Sequence, residues 1–317
     1  MVIDIHTHVP FYKVYPPKFL ELMTRELMAS VSNVKSKFAK TAPLQILNGF
    51  LNDRDGSMMI RQLDDAGIDQ AVVLIIDAGI CLGEAELSLR EIFDHHRRLL
   101  QNFPDRLKIF AGIDPRRGAD GLELFKKSID HGFSGLKLYP SMGYRLWDEA
   151  LYPYYELCSG NHMPVLTHTG PSLDVLANEL AEPEEIKKAA KDFPNVKFIL
   201  AHAGQRITES RIQELVSIPN VYLDISAFQM GYRKAADMKE DMGAIFSSRF
   251  YKKILFGTDY PLFNLFTPLS SNIGLLTELW KIVEEKESDS LSAVLGGNAM
   301  ELLNHGRNHH VNSTQLV

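Results

Sequence analysis

The chain is 317 residues long, with 34 Lys and Arg against 40 Asp and Glu and a net charge of −6. Hydrophobic residues make up 45%, enough to bury a core, which excludes an intrinsically disordered chain. The acidic balance argues against a dedicated nucleic-acid binder, which needs a basic footprint. Two cysteines, Cys81 and Cys158, lie outside any Cys-x-x-Cys spacing. That excludes a disulfide framework or thiolate zinc cluster and fits a reducing compartment. The first residues run into a strand-like segment with no signal-peptide pattern, and the longest apolar run, Ala71 to Ile76, is too short for a membrane span. The expectation is a cytoplasmic protein without a membrane partner.

Taken in chain order, short apolar runs alternate with helical patterns. The strands read as Val2–His6, Ala71–Asp77, Leu107–Ile113, Ser134–Tyr139, Val165–His168, Val196–His202, Val221–Ile225 and Ile254–Asp259. Near-continuous apolar strands suit a parallel sheet buried on both faces. Amphipathic stretches such as Leu122–His131 and Ile207–Val216 separate them, and Pro followed by Asn or Asp ends three of the helices. The pattern predicts α/β architecture, a single (β/α)8 TIM barrel with an insertion after the first strand. An open dinucleotide fold loses its support because no Gly-x-Gly-x-x-Gly follows the first strand. The barrel is expected over residues 1–305, with a polar tail over 306–317.

The insertion, residues 11–56, precedes a first regular helix expected near Ser57. It carries Lys13, Lys18, Arg25, Lys35, Lys37, Lys40 and Arg54 against Glu21, Glu26, Asp53 and Asp55. Read as a lid, it is basic and favours a small anionic substrate; read plainly, it is ordinary solvated surface.

Several strands end in groups with metal chemistry. In Asp4-Ile5-His6-Thr7-His8 the alternation of a strand puts His6 and His8 on one side, where two imidazoles can grip one ion. His168 ends the fifth strand, His202 the sixth, and Asp259 the eighth. The carboxyl ends of barrel strands converge on one mouth, so four histidines and an aspartate would meet there. Neutral imidazoles with one carboxylate suit a divalent zinc-like cation, with a position left for water.

Asp4-x-His6-x-His8, Thr167-His168-Thr169-Gly170, Ala201-His202-Ala203-Gly204 and Gly257-Thr258-Asp259-Tyr260-Pro261, in that order, resemble the amidohydrolase superfamily. The similarity is to its amidohydrolase-related branch of decarboxylases and metal-dependent TIM-barrel hydrolases, and the closing Gly297-Asn298-Ala299-Met300-Glu301-Leu302-Leu303 resembles that branch's last helix. The resemblance implies His6, His8, His168 and Asp259 as ligands of one divalent ion, zinc first. It implies His202 and Asp259 as the groups that manage protons. Lys137, in Gly135-Leu136-Lys137-Leu138-Tyr139-Pro140, stays open between three readings: a carboxylated bridge to a second metal, a partner for an anionic substrate, or a structural lysine. Arg206, Tyr139 and Arg54 are the candidate substrate contacts. The reaction expected is hydrolysis of a small carboxylate-bearing lactone, ester or amide. A non-oxidative decarboxylase and an inactive binding barrel are the alternatives, and a homodimer is the assembly such barrels often form.

Overall fold

The computed structural model describes residues 1–31, 49–205, 208–230, 234–264 and 268–304. The strands are β1 (Ile3–Thr7), β2 (Gln70–Leu74), β3 (Leu107–Gly112), β4 (Gly135–Leu138), β5 (Val165–Thr167), β6 (Phe198–Leu200), β7 (Val221–Asp224) and β8 (Ile254–Leu255). They form one sheet in sequence order, parallel throughout. Residues beyond β8 close the ring: Ile5 N–H donates to the Phe256 carbonyl at 2.9 Å and Asp259 N–H to the His6 carbonyl at 2.9 Å. The chain is a (β/α)8 barrel, as its alternating pattern predicts.

Two apolar layers hold it. Ile3, Ile5, Val72, Leu74, Phe110, Leu166, Ile199 and Leu255 pack together, and Ala299 and Leu302 of the last helix pack with them. The larger layer joins alternate strand residues such as Val73, Ile109, Leu136 and Phe198 to helix residues such as Leu63, Leu99 and Phe125. That two-sided burial is why the strands read as unbroken apolar runs.

The strands after the first are shorter than their apolar runs. The eighth was expected through Asp259 and the sixth through His202, yet they end at Leu255 and Leu200, and the backbone beyond them turns left-handed, with φ of 59° at His202 and 57° at Asp259. β1 departs from regular pairing in another way. Asp4 pairs with Ala71 and Thr7 with Val73, so β1 carries one extra residue between them. Such bulges re-aim side chains next to sites.

In the insertion, α1 (Pro17–Val31) follows a turn at Tyr12–Val14, and Phe11 bridges to Asn52. The helix expected near Ser57, α2 (Ser57–Ala66), starts there, but it is not the first, because α1 already lies within the insertion. Residues 32–48 and the tail from 305 lie outside the described residues. Among the described residues no helix is long and apolar enough to cross a membrane.

Candidate metal centre

The carboxyl ends of the strands surround a cavity of about 470 Å3. His6 of the bulged β1, His8 just after it, Lys137 of β4, His168 after β5, His202 after β6 and Asp259 after β8 all line it. At its floor Asp259 Oδ1 lies 3.4 Å from His6 Nε2 and 3.3 Å from His8 Nε2. His168 stands slightly apart from this trio, its ring 5.0 Å from that of His202, which in turn is 4.9 Å from the ring of His6.

The local backbone explains the convergence. His202, Ala203, Ala227 and Asp259 all have positive φ without being glycine. Each such residue costs about 1–3 kcal/mol, and they gather at functional sites because surrounding structure holds them there. Asp4 supplies part of that hold. Its buried carboxylate accepts from Thr258 Oγ1 at 2.6 Å, Thr258 N at 3.1 Å and His6 N at 3.1 Å, tying the first strand to the loop that carries Asp259.

The donor set fits a metal ion. His6 Nδ1–H donates to Asp224 Oδ2 at 2.8 Å and His8 Nδ1–H to the Leu74 carbonyl at 2.9 Å. Each leaves its Nε2 without a proton and facing Asp259, the state and orientation that a ligand needs. His168 Nε2 is buried with no hydrogen-bond partner among the described residues, and a buried polar atom is not left unpaired without a reason. Burial holds His168 well below the ordinary imidazole range and lowers His6 as well. Burial raises the Asp259 carboxyl, but His6, His8 and His202 outweigh it and keep the group ionised.

Lys137 is buried on the cavity wall and makes no hydrogen bond or ion pair of its own with a described residue; its ammonium stands 6.0 Å from the Tyr139 ring centre. Burial pushes it down to about 8, against the pull of Asp259 and Asp224. Tyr139 lines the same wall, its ring 4.3 Å from that of His168, and its hydroxyl is hydrogen-bonded to Ser172.

Other expectations change. Arg54 is exposed and does not line the cavity; its carbonyl accepts instead from His95 Nε2 at 2.7 Å. Arg206 lies outside the described residues. The basic lid is corrected where it is described: α1 turns Phe19, Leu20, Met23 and Glu26 to the cavity, whereas Lys13 pairs with Glu86, Lys18 with Glu21 at 3.1 Å, and Arg25 is exposed. Lys35, Lys37 and Lys40 lie outside the described residues. Asp77 and Asp114, just beyond the ends of β2 and β3, are engaged by Arg117 and Arg116.

Sequence reasoning missed Ser226 and the role of Asp224. Both are fully buried behind the histidines, and Ser226 Oγ lies 2.9 Å from His202 Nδ1. The signal was present in Asp224-Ile225-Ser226, polar residues two apart at a strand end, the same spacing as His6-x-His8.

The family model for Amidohydrolase matches residues 3–304. The chain belongs to the amidohydrolase family. No curated protein matches it. Among solved structures, 5-carboxyvanillate decarboxylase LigW from Sphingomonas paucimobilis is 16% identical, covers 96% of this chain and 98% of its own, and superposes with a TM-score of 0.62. A second 5-carboxyvanillate decarboxylase, LigW2 from Novosphingobium aromaticivorans, with bound manganese, is 12% identical with 95% of each chain covered and a TM-score of 0.60. A probable 2-pyrone-4,6-dicarboxylic acid hydrolase from Acinetobacter baumannii, with citric acid bound, is 14% identical, covers 96% of this chain and 99% of its own, and has a TM-score of 0.59. At these identities the (β/α)8 barrel fold is what the structures share.

Proposed function

We propose that this amidohydrolase is a metal-dependent hydrolase of a small lactone, ester or amide that carries one carboxylate on an apolar body. The observation that carries the reading is the convergence of the His6 and His8 Nε2 atoms on Asp259 at the cavity floor, with His202 beside them. His6, His8, His168 and Asp259 would hold a divalent ion, zinc first. That ion supplies Lewis acidity toward a substrate oxygen and lowers the pKa of a water.

The chain's own groups do the rest. Burial pushes His202 down to about 4, so at neutral pH it is an uncharged imidazole ready to accept a proton. Asp259, ionised beside it, stabilises the imidazolium that results. Lys137, with no carboxylate paired to it, is a seat for the substrate's carboxylate. Phe19, Leu51, Leu173 and Phe263 wall the upper cavity, pack the apolar body and exclude bulk water. The hydrolase of a pyrone dicarboxylic acid among the structural neighbours, and the manganese in another, support this reading.

The apolar walls also favour a second reading, non-oxidative decarboxylation of an aromatic or unsaturated acid, which the decarboxylase neighbours support. One experiment separates them. The chain loaded with zinc or manganese is offered lactones, esters and amides of aromatic acids, and the acids themselves, in 18O-labelled water. Hydrolysis places the label in the product acid, and carbon dioxide without label selects the second reading. Turnover undiminished by a chelator, or by His6→Ala and Asp259→Ala, would refute both.

A further inference from the structure

Behind the cavity floor, a single buried carboxylate contacts two histidines by different routes. Asp224 Oδ2 accepts from His6 Nδ1–H at 2.8 Å. Its other oxygen, Oδ1, accepts from Ser226 N at 2.8 Å, from His202 N at 3.2 Å, and from the Ser226 hydroxyl in a short contact. The same hydroxyl oxygen lies 2.9 Å from His202 Nδ1 and 3.0 Å from His6 Nδ1. Both Asp224 and Ser226 are essentially inaccessible to solvent.

Counting protons leaves one arrangement. An ionised carboxylate only accepts hydrogen bonds, and the backbone N–H groups of Ser226 and His202 together with His6 Nδ1 all point at the oxygens of Asp224, the surroundings of an acceptor. The His6 Nδ1 proton therefore goes to Oδ2. The Ser226 hydroxyl has one hydrogen and two neighbours that could take it, Asp224 Oδ1 and His202 Nδ1. The bond to the charged oxygen is the stronger, and withholding it would set a hydroxyl lone pair against a carboxylate at short range. With its hydrogen on Asp224, Ser226 faces His202 with a lone pair, so His202 Nδ1 must bring the proton.

We infer that Ser226 is a positioning residue: its hydroxyl, oriented by Asp224, fixes the His202 proton on Nδ1 and leaves Nε2 as a free base. One carboxylate thereby sets the tautomer of a metal-binding histidine directly and that of the proton-transfer histidine through a serine. Two backbone N–H groups already serve Oδ1, so the hydroxyl is not required merely to satisfy the carboxylate. The packing is built around it as well. A Cβ on Gly257 would stand 2.9 Å from His6 Cβ, closer than real Cβ atoms come, and 3.0 Å from Ser226 Cβ, tighter than nearly all of them, so the glycine admits this cluster.

The inference rests on the hydrolase reading only for what Nε2 does afterwards, and its test needs no substrate. The full chain, loaded with zinc and carrying 15N-labelled histidine rings, is examined by long-range proton–nitrogen correlation, with the His202 signals identified by their loss in His202→Gln. The wild type is expected to show a protonated Nδ1 and an unprotonated Nε2. Ser226→Ala should move both nitrogens toward the average of the two tautomers, and Ser226→Thr, which keeps a hydroxyl, should restore the wild-type pattern. His6 should be unchanged in Ser226→Ala, because its proton answers to Asp224 directly. A wild-type His202 protonated on Nε2 overturns the inference without any variant, so failure of Ser226→Ala to fold does not shield it. An unchanged His202 pattern in a folded Ser226→Ala overturns it too. Either result leaves the hydrolase reading standing, and failure of hydrolysis leaves the tautomer measurement intact.

Discussion

Replacing Asp224 by asparagine tests the metal centre at its least conspicuous residue. The substitution keeps size and shape and changes one oxygen into an NH2 group. The crowded side of Asp224, with three donors on Oδ1, will claim the remaining oxygen. The NH2 is then turned to His6 Nδ1, where a carboxylate oxygen had accepted at 2.8 Å. Two donors cannot face each other, so His6 must move its proton to Nε2 or lose a charge-assisted bond of about 1.5–3 kcal/mol. A proton on Nε2 blocks the nitrogen that faces Asp259. Either route weakens metal binding, by the 10–100-fold order typical when the group behind a ligand is lost. Competition between the zinc-loaded chain and a chelating dye measures this. An affinity for zinc within about twofold of wild type would refute the assignment of His6 Nε2 as a ligand and of Asp224 as the group that orients it.

Two further predictions concern stability. His96 is fully buried, with Nδ1 bonded to the Ile92 carbonyl at 2.7 Å and Nε2 without a described partner. Burial pushes it down to about 3. The unfolded chain takes up this proton near pH ~6.5 while the folded chain does not, so stability falls as pH drops from there toward 3, by about 2 kcal/mol between pH ~7 and ~5. Denaturant melts should show that slope reduced in His96→Gln. An equal slope would mean that other groups carry it. Gly257→Ala should cost about 1–3 kcal/mol through forced displacement of His6 and Ser226, read as a lower melting temperature together with weaker zinc binding. A variant as stable and as metal-competent as wild type would contradict the close packing behind the histidines.

The barrel was legible in the sequence because a strand covered on both faces must be apolar along its length, and eight such runs between amphipathic helices have few other ways to pack. His6, His8, His168, His202 and Asp259 were legible for a related reason: polar groups that close an apolar strand fall at the strand ends, and a parallel barrel brings those ends together. The charge of the insertion misled, because a sum along the chain does not say which way each side chain points. Helix α1 places Phe19, Leu20 and Met23, three and four residues apart, toward the cavity and leaves Lys18, Glu21 and Arg25 outside it. The sequence alone thus determined the fold and the kinds of atom at the mouth. Tertiary structure alone decided which nitrogen of each histidine is free, since that depends on Asp224, Ser226 and the Leu74 carbonyl, acceptors brought from distant strands whose spacing to His6, His8 and His202 is set by packing across the barrel.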